Sequence, residues 1–139
     1  MSKLLIKPAK GSQVHSVTPQ SAGWKYVGFN VHDLSVGESL ECCQSGRELC
    51  LVVLTGSANI SVGQQSWHNV GGRTSIFVDQ PPGAVYVPAG ETAHIVALDA
   101  IEIAVCSAPG QGRSGPARLI DPNTMSQEVR GESTNTRYV

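Results

Sequence analysis

The stretch Glu48–Thr55, ELCLVVLT, decides the fold class. Its apolar run from Leu49 to Leu54 is too short for a core helix and of the right length for a β-strand covered on both faces. Because successive side chains of a strand alternate in direction, the run predicts one buried row of Leu49, Leu51 and Val53 and a second of Cys50, Val52 and Leu54. Working outward, Gly56-Ser57 reads as a turn into a strand at Ala58–Val62. Gly63-Gln64-Gln65 then reverses the chain toward Ser66–Val70, which makes a meander. Gly71-Gly72-Arg73 breaks that pattern.

The same grammar extends in both directions. Trp24–Leu34 (WKYVGFNVHDL) is rich in strand-forming residues, with a turn at Ser35–Glu38 and a shorter strand at Ser39–Cys43. Further strands are predicted at Thr74–Phe77, Ala84–Val87, Thr92–Leu98 and Ile101–Ser107, punctuated by Pro81-Pro82-Gly83 and Pro88-Ala89-Gly90. No segment sustains a helical apolar period. The chain therefore reads as all-β, a sandwich or barrel of which a jelly roll is one form. From Pro109 the sequence PGQGRSG reads as a flexible loop, Ala117–Ile120 as a short strand and Asp121-Pro122-Asn123 as a turn. Residues 1–120 then form a single domain. Residues 121–139 form a polar tail, of which Ser126–Val139 is expected to be disordered or packed on a neighbouring molecule.

With 40% hydrophobic and 15% charged residues and a formal net charge of -1, the composition speaks against disorder and against nucleic-acid or membrane-surface binding. Small uncharged molecules or sugar acids remain as ligands. Lys3 and Lys7 flank only Leu4-Leu5-Ile6, too short a run for a signal peptide or a membrane span, so a cytoplasmic location is expected. Four cysteines, Cys42, Cys43, Cys50 and Cys106, show no C-x-x-C spacing and fit reduced, mostly buried thiols.

Two stretches, Gly37–Gly56 and Gly83–His94 (GAVYVPAGETAH), resemble the paired motifs of the cupin superfamily of jelly-roll barrels. Across the whole chain, KPA at 7–9, GWKYVGF at 23–29, VYVPAG at 85–90, CSAPG at 106–110, PARLI at 116–120, SQEVRG at 126–131 and TNTRYV at 134–139 resemble the 5-deoxy-glucuronate isomerase family of inositol catabolism. The resemblance is to the N-terminal half of that two-cupin polypeptide, with the tail similar to the connector into the second cupin. It implies an aldose–ketose isomerase that assembles as a homo-oligomer. In the related uronate isomerases the divalent metal sits in the C-terminal cupin, on histidines and a glutamate, which no part of this chain matches.

Whether this barrel carries a metal site of its own can be tested by register. The resemblance places the family's Glu position on Leu49 and its His-x-His positions on Cys43 and Ser45, or on Cys42 and Gln44; none is a histidine or carboxylate. Glu48 is one residue from the ligand position, and a one-residue slip turns a strand side chain to the opposite face. His94 has the same defect: the usual spacing after Gly90 points to Ala93 unless a bulge intervenes, which leaves His94 as the weak metal candidate against a structural or surface histidine. His15, His32 and His68 are solitary, and no metal-binding or nucleophile-elbow spacing exists. Trp24, Tyr26, Phe29, Trp67 and Tyr86 either line a sugar pocket or belong to the core. Arg118, Arg130 and Arg137 can pair with a carboxylate in bidentate fashion, although Arg130 and Arg137, in the tail, suit inter-domain pairing better. Two functions follow: a non-catalytic half of the isomerase with no cofactor in this chain, or a stand-alone metal-free cupin that binds a small sugar acid or serves as an interaction module.

Overall fold

The apolar run at 49–54 is part of a strand twice the expected length. In the computed structural model, which describes residues 5–110, 115–126 and 128–139, the strands in chain order are β1 (Gln13–Val17), β2 (Gly28–Leu34), β3 (Ser39–Cys42), β4 (Arg47–Val62), β5 (Gln65–Arg73), β6 (Ala84–Val87), β7 (Ala93–Ala97), β8 (Ile101–Pro109), β9 (Arg118–Ile120), β10 (Val129–Arg130) and β11 (Arg137–Tyr138). One sheet runs β1-β2-β8-β4-β6-β9, and β4 also pairs with β5 and β7, with β3 beyond β7. Every pairing is antiparallel. The all-β reading holds.

Gly56-Ser57 is a bend, not a turn. The first part of β4 pairs with β8 and β6, and the part after Gly56 pairs with β5 and β7, so one strand of 16 residues serves both layers. The register slips between Val53 and Thr55 against β8 and between Gly56 and Ser57 against β5, which is the mark of a bulge. Gly56 has φ +72, and a Cβ there would sit 2.5 Å from the Ala100 carbonyl oxygen. Glycine is needed both for the left-handed backbone and for the close approach. The Ser57 hydroxyl, buried just past the bend, donates to the Asp99 carboxylate.

The space between the layers is filled by aliphatic side chains. Leu49, Leu51, Val53, Ile60, Val85, Val87, Ile95 and Ile103 are the largest of the fully buried residues. Each contributes about 1.5–3 kcal/mol relative to an exposed position. Cys50, Val52 and Leu54, expected to be buried as well, are only half-buried. The two layers share one core between them, so the outer face of β4 is screened mainly by its cross-strand neighbours.

Other differences are local. Trp24–Val27 precede β2 rather than belong to it, following a one-turn helix, α1 (Pro19–Ala22), with a Thr18 capping box and Gly23 in the left-handed region. Neither α1 nor β1 was expected. Gly71-Gly72-Arg73 continues β5, whereas Thr74–Phe77 forms no strand and leaves Phe77 91% exposed. Within the tail, β10 and β11 pair across a 3-10 turn at Ser133–Asn135, and Glu128 and Val139 exchange backbone hydrogen bonds. The loop expected after Pro109 lies largely outside the described residues, as do Lys3, Leu4 and Gln127 of the quoted motifs.

Candidate functional site

Cross-strand register sorts the candidate ligand positions into inside and outside. Cys42 pairs with Ala93 and Leu40 with Ile95, all facing the core, while Glu41 pairs with His94 on the opposite face. The pairing runs without a bulge, so nothing turns His94 inward. Its Nδ1 lies 3.0 Å from Glu41 Oε1, with the two side chains 54% and 73% exposed. Such a surface pair is worth about 0–1 kcal/mol.

At the expected ligand positions the interior offers Leu49, 2% exposed, and Ala93, fully buried. Cys42 is buried too, and burial pushes its thiol up to about 11. Cys43 and Ser45 are exposed and Gln44 is half-buried. A divalent cation needs several oxygen, nitrogen or thiolate donors around one point. These residues do not fit one, and among the described residues no three His, Cys, Asp or Glu side chains converge on a common centre. Glu48 lies on the outer face, where its carboxylate accepts a 2.8 Å hydrogen bond from the Tyr86 hydroxyl.

The polar groups that do face inward line one end of the larger sheet. Asn30 and His32 pair with Val105 and Ile103 of the core, which fixes them on the inner face of β2. Asn30 Oδ1 is buried with no hydrogen-bond partner among the described residues, and burial lowers the pKa of His32. Nearby, the Arg47 guanidinium donates to Ser107 Oγ (3.2 Å), the Ser107 carbonyl (3.0 Å) and the Tyr26 carbonyl (2.6 Å). This network ties the segment before β2 to β4 and β8. Sequence reasoning missed it, although the alternation of Gly28, Asn30, His32 and Leu34 on one face of a strand was there to be read.

The aromatic candidates do not gather around one pocket. Trp67 packs against the core, Trp24 and Tyr26 are more than half exposed, and Phe29 and Tyr86 lie on the outer face of the larger sheet. There a cleft of about 190 Å³ opens beside Val27, Glu48, Cys50, Tyr86 and Cys106. The Arg118 guanidinium stands 5.7 Å from the Tyr86 ring centre. Arg130 pairs with Glu128 at 2.7 Å and sits opposite Arg137 in the terminal hairpin. His15 is half-buried on β1, opposite Val31 of β2, and His68 is exposed on β5.

Comparison with known proteins places this geometry. The chain is 43% identical to the 5-deoxy-glucuronate isomerase of Geobacillus kaustophilus along its whole length, which is 51% of that protein. It is 32% identical to the Bacillus subtilis 5-deoxy-glucuronate isomerase, covering 53% of it. The chain thus spans about half the length of the curated relatives it matches. The crystal structure of an IolB-like protein from Salmonella typhimurium LT2 superposes with a TM-score of 0.90 and 37% identity, over 96% of this chain and 51% of that one. A cupin protein from Bacteroides fragilis, 12% identical, matches over 80% of this chain and 87% of its own with a TM-score of 0.56, which shows the cupin fold. Residues 4–139 match the family description throughout, and with a relative of the same fold superposing over nearly every residue, this chain belongs to the KduI/IolB family.

Proposed function

We propose that this chain is the N-terminal cupin unit of a 5-deoxy-glucuronate isomerase, with residues 1–120 as the barrel and 121–139 as the connector toward a second cupin that carries the chemistry. The observation that carries this reading is the 43% identity along the whole chain to an isomerase of which it covers 51%. Aldose–ketose isomerisation moves a proton between adjacent carbons and needs the developing negative charge stabilised as the proton leaves. The stretch of the inner wall formed by Leu49, Leu51 and Val53 is aliphatic and supplies no group for either task. The divalent metal of the family belongs, on this reading, to the second unit.

The cytoplasmic location and the homo-oligomeric assembly are part of the proposal. Exposed apolar side chains such as Phe77 and Tyr138 support assembly, since water-facing apolar groups of this size favour contact with another surface. For the alternative, a stand-alone metal-free cupin that binds a small sugar acid or acts as an interaction module, the aliphatic packing at Leu49, Leu51 and Val53 argues against a ligand held against the inner face of β4.

The test is an isomerase assay with 5-deoxy-glucuronate on this chain alone, with manganese or zinc added, and on this chain joined to the second half of the Geobacillus relative. The joined protein turns over and the lone chain does not. Metal-dependent turnover by the lone chain that survives Cys43→Ala and is lost in His94→Ala overturns the proposal.

A further inference from the structure

We propose that Cys50 and Cys106 form a cross-strand dithiol site for a trivalent arsenical. Cys50 on β4 and Cys106 on β8 are direct partners in the ladder, so their side chains leave the sheet on the same outer face. Both are half-buried, both are free, and both line the same cleft of about 190 Å³ with Val27 and Tyr86. Directly opposed residues in an antiparallel pair hold their Cβ atoms about 4.5–5.5 Å apart. A disulfide prefers about 3.5–4.5 Å. The ladder therefore suits a single atom bridging the two sulfurs better than it suits an S–S bond.

The protonation state selects the class of bridging atom. Burial raises both thiol pKa values, and the neighbouring Cys106 raises that of Cys50 further. The pair stays as neutral thiols, which handicaps ligands that require preformed thiolates. Condensation with an arsenoxide consumes neutral thiols and gives a neutral product. In it, R–As=O and two thiols yield R–As(S–Cys)₂ and one water: two As–S bonds form, the As=O bond breaks, both thiol protons leave on the oxygen, and arsenic remains trivalent. The condensation adds no charge to the cleft, which has room for the organic substituent beside Val27 and Tyr86. Cys42 and Cys43 are adjacent in sequence but, one buried in the core and the other exposed, face different surroundings and offer no such pair.

The probe is phenylarsine oxide titrated into the whole chain, read by intact mass and by peptide mapping. One adduct forms, linking the peptides that contain residues 50 and 106, and it is released by a dithiol but not by a monothiol. Loss of chelation in Cys50→Ser or Cys106→Ser weakens binding on the order of 100-fold, while Cys43→Ser leaves it unchanged. Should either serine variant fail to melt cooperatively, the peptide map of the unsubstituted protein decides alone. An adduct mapped to Cys42 or Cys43, release by a monothiol, or undiminished affinity in folded Cys50→Ser and Cys106→Ser variants overturns the proposal.

Discussion

The two faces of β4 share a backbone and differ in almost everything else. Inward, Leu49, Leu51 and Val53 are 2%, 0% and 0% exposed and belong to the apolar core. Outward, Glu48 holds Tyr86, Cys50 faces Cys106, and Val52 and Leu54 are half-covered. A barrel that uses its interior for chemistry must leave polar side chains and space there. From 49 to 53 the inner face of β4 is filled with aliphatic side chains, and the carboxylate of Glu48 and the thiol of Cys50 lie on the outside of the same strand. The lesson is that an unbroken apolar run reports a strand's average burial and not how that burial is divided between its faces.

Substitutions can break that contrast, and the largest effect should come from charge. Leu51→Asp places an unpaired carboxylate in the core at a cost of several kcal/mol, comparable to the whole stability of such a domain, and the variant should show no cooperative melting transition. A soluble, cooperatively melting Leu51→Asp protein would mean that the inner face is misassigned. Truncation gives a graded version of the comparison. Leu51→Ala should cost about 2–5 kcal/mol, whereas Val52→Ala, one residue away on the half-covered face, should cost about 1 kcal/mol or less by denaturant unfolding.

The bend that carries β4 from one layer to the other comes next. Gly56→Ala forces a side chain into left-handed backbone and against Ala100, so a loss of about 1–3 kcal/mol is expected from chemical denaturation. A pH titration probes the inner face without mutation. Because the Cys42 thiol is raised from 9.0 to about 11 on folding, the native state holds its proton more tightly than the unfolded chain. The stability this provides is complete below pH 9 and is lost as pH rises through about 11. Cys42→Ala should flatten that alkaline decline in melting temperature. The smallest effect belongs to the surface: His94→Ala should change stability by less than about 0.5 kcal/mol, and salt should shrink even that.

Much of the fold was legible because strand signals and turn chemistry agreed. Ala84–Val87, the strand after Pro88-Ala89-Gly90 and the strand from Ile101 all appear within a few residues of their expected bounds. Gly56-Ser57 misled because a glycine that permits a turn also permits a bulge, and only the partners on either side decide between them. Thr74–Phe77 has strand-forming side chains and no partner strand. Gln13–Val17 has weaker composition and acquires its structure by pairing with Asn30 and its neighbours on β2. Inside the barrel, Leu49 is placed by the register that the family resemblance implies, counted back from Gly56. Alternation alone puts Asn30 and His32 on one face of β2, but Arg47 and Ser107, 60 positions apart, are joined only once β2, β4 and β8 lie side by side.

The bent strand also sets how the molecule comes apart. β4 is hydrogen-bonded to β8 and β6 before its bulge and to β5 and β7 after it, so neither layer can peel away while the other keeps all its partners. Its ladder with β8 joins Leu49 to Ser107 and Val53 to Ile103, contacts that close loops of some fifty residues before either layer is complete. Long-range closure of this kind delays the folding nucleus, and the shared strand then locks both layers into a single cooperative unit.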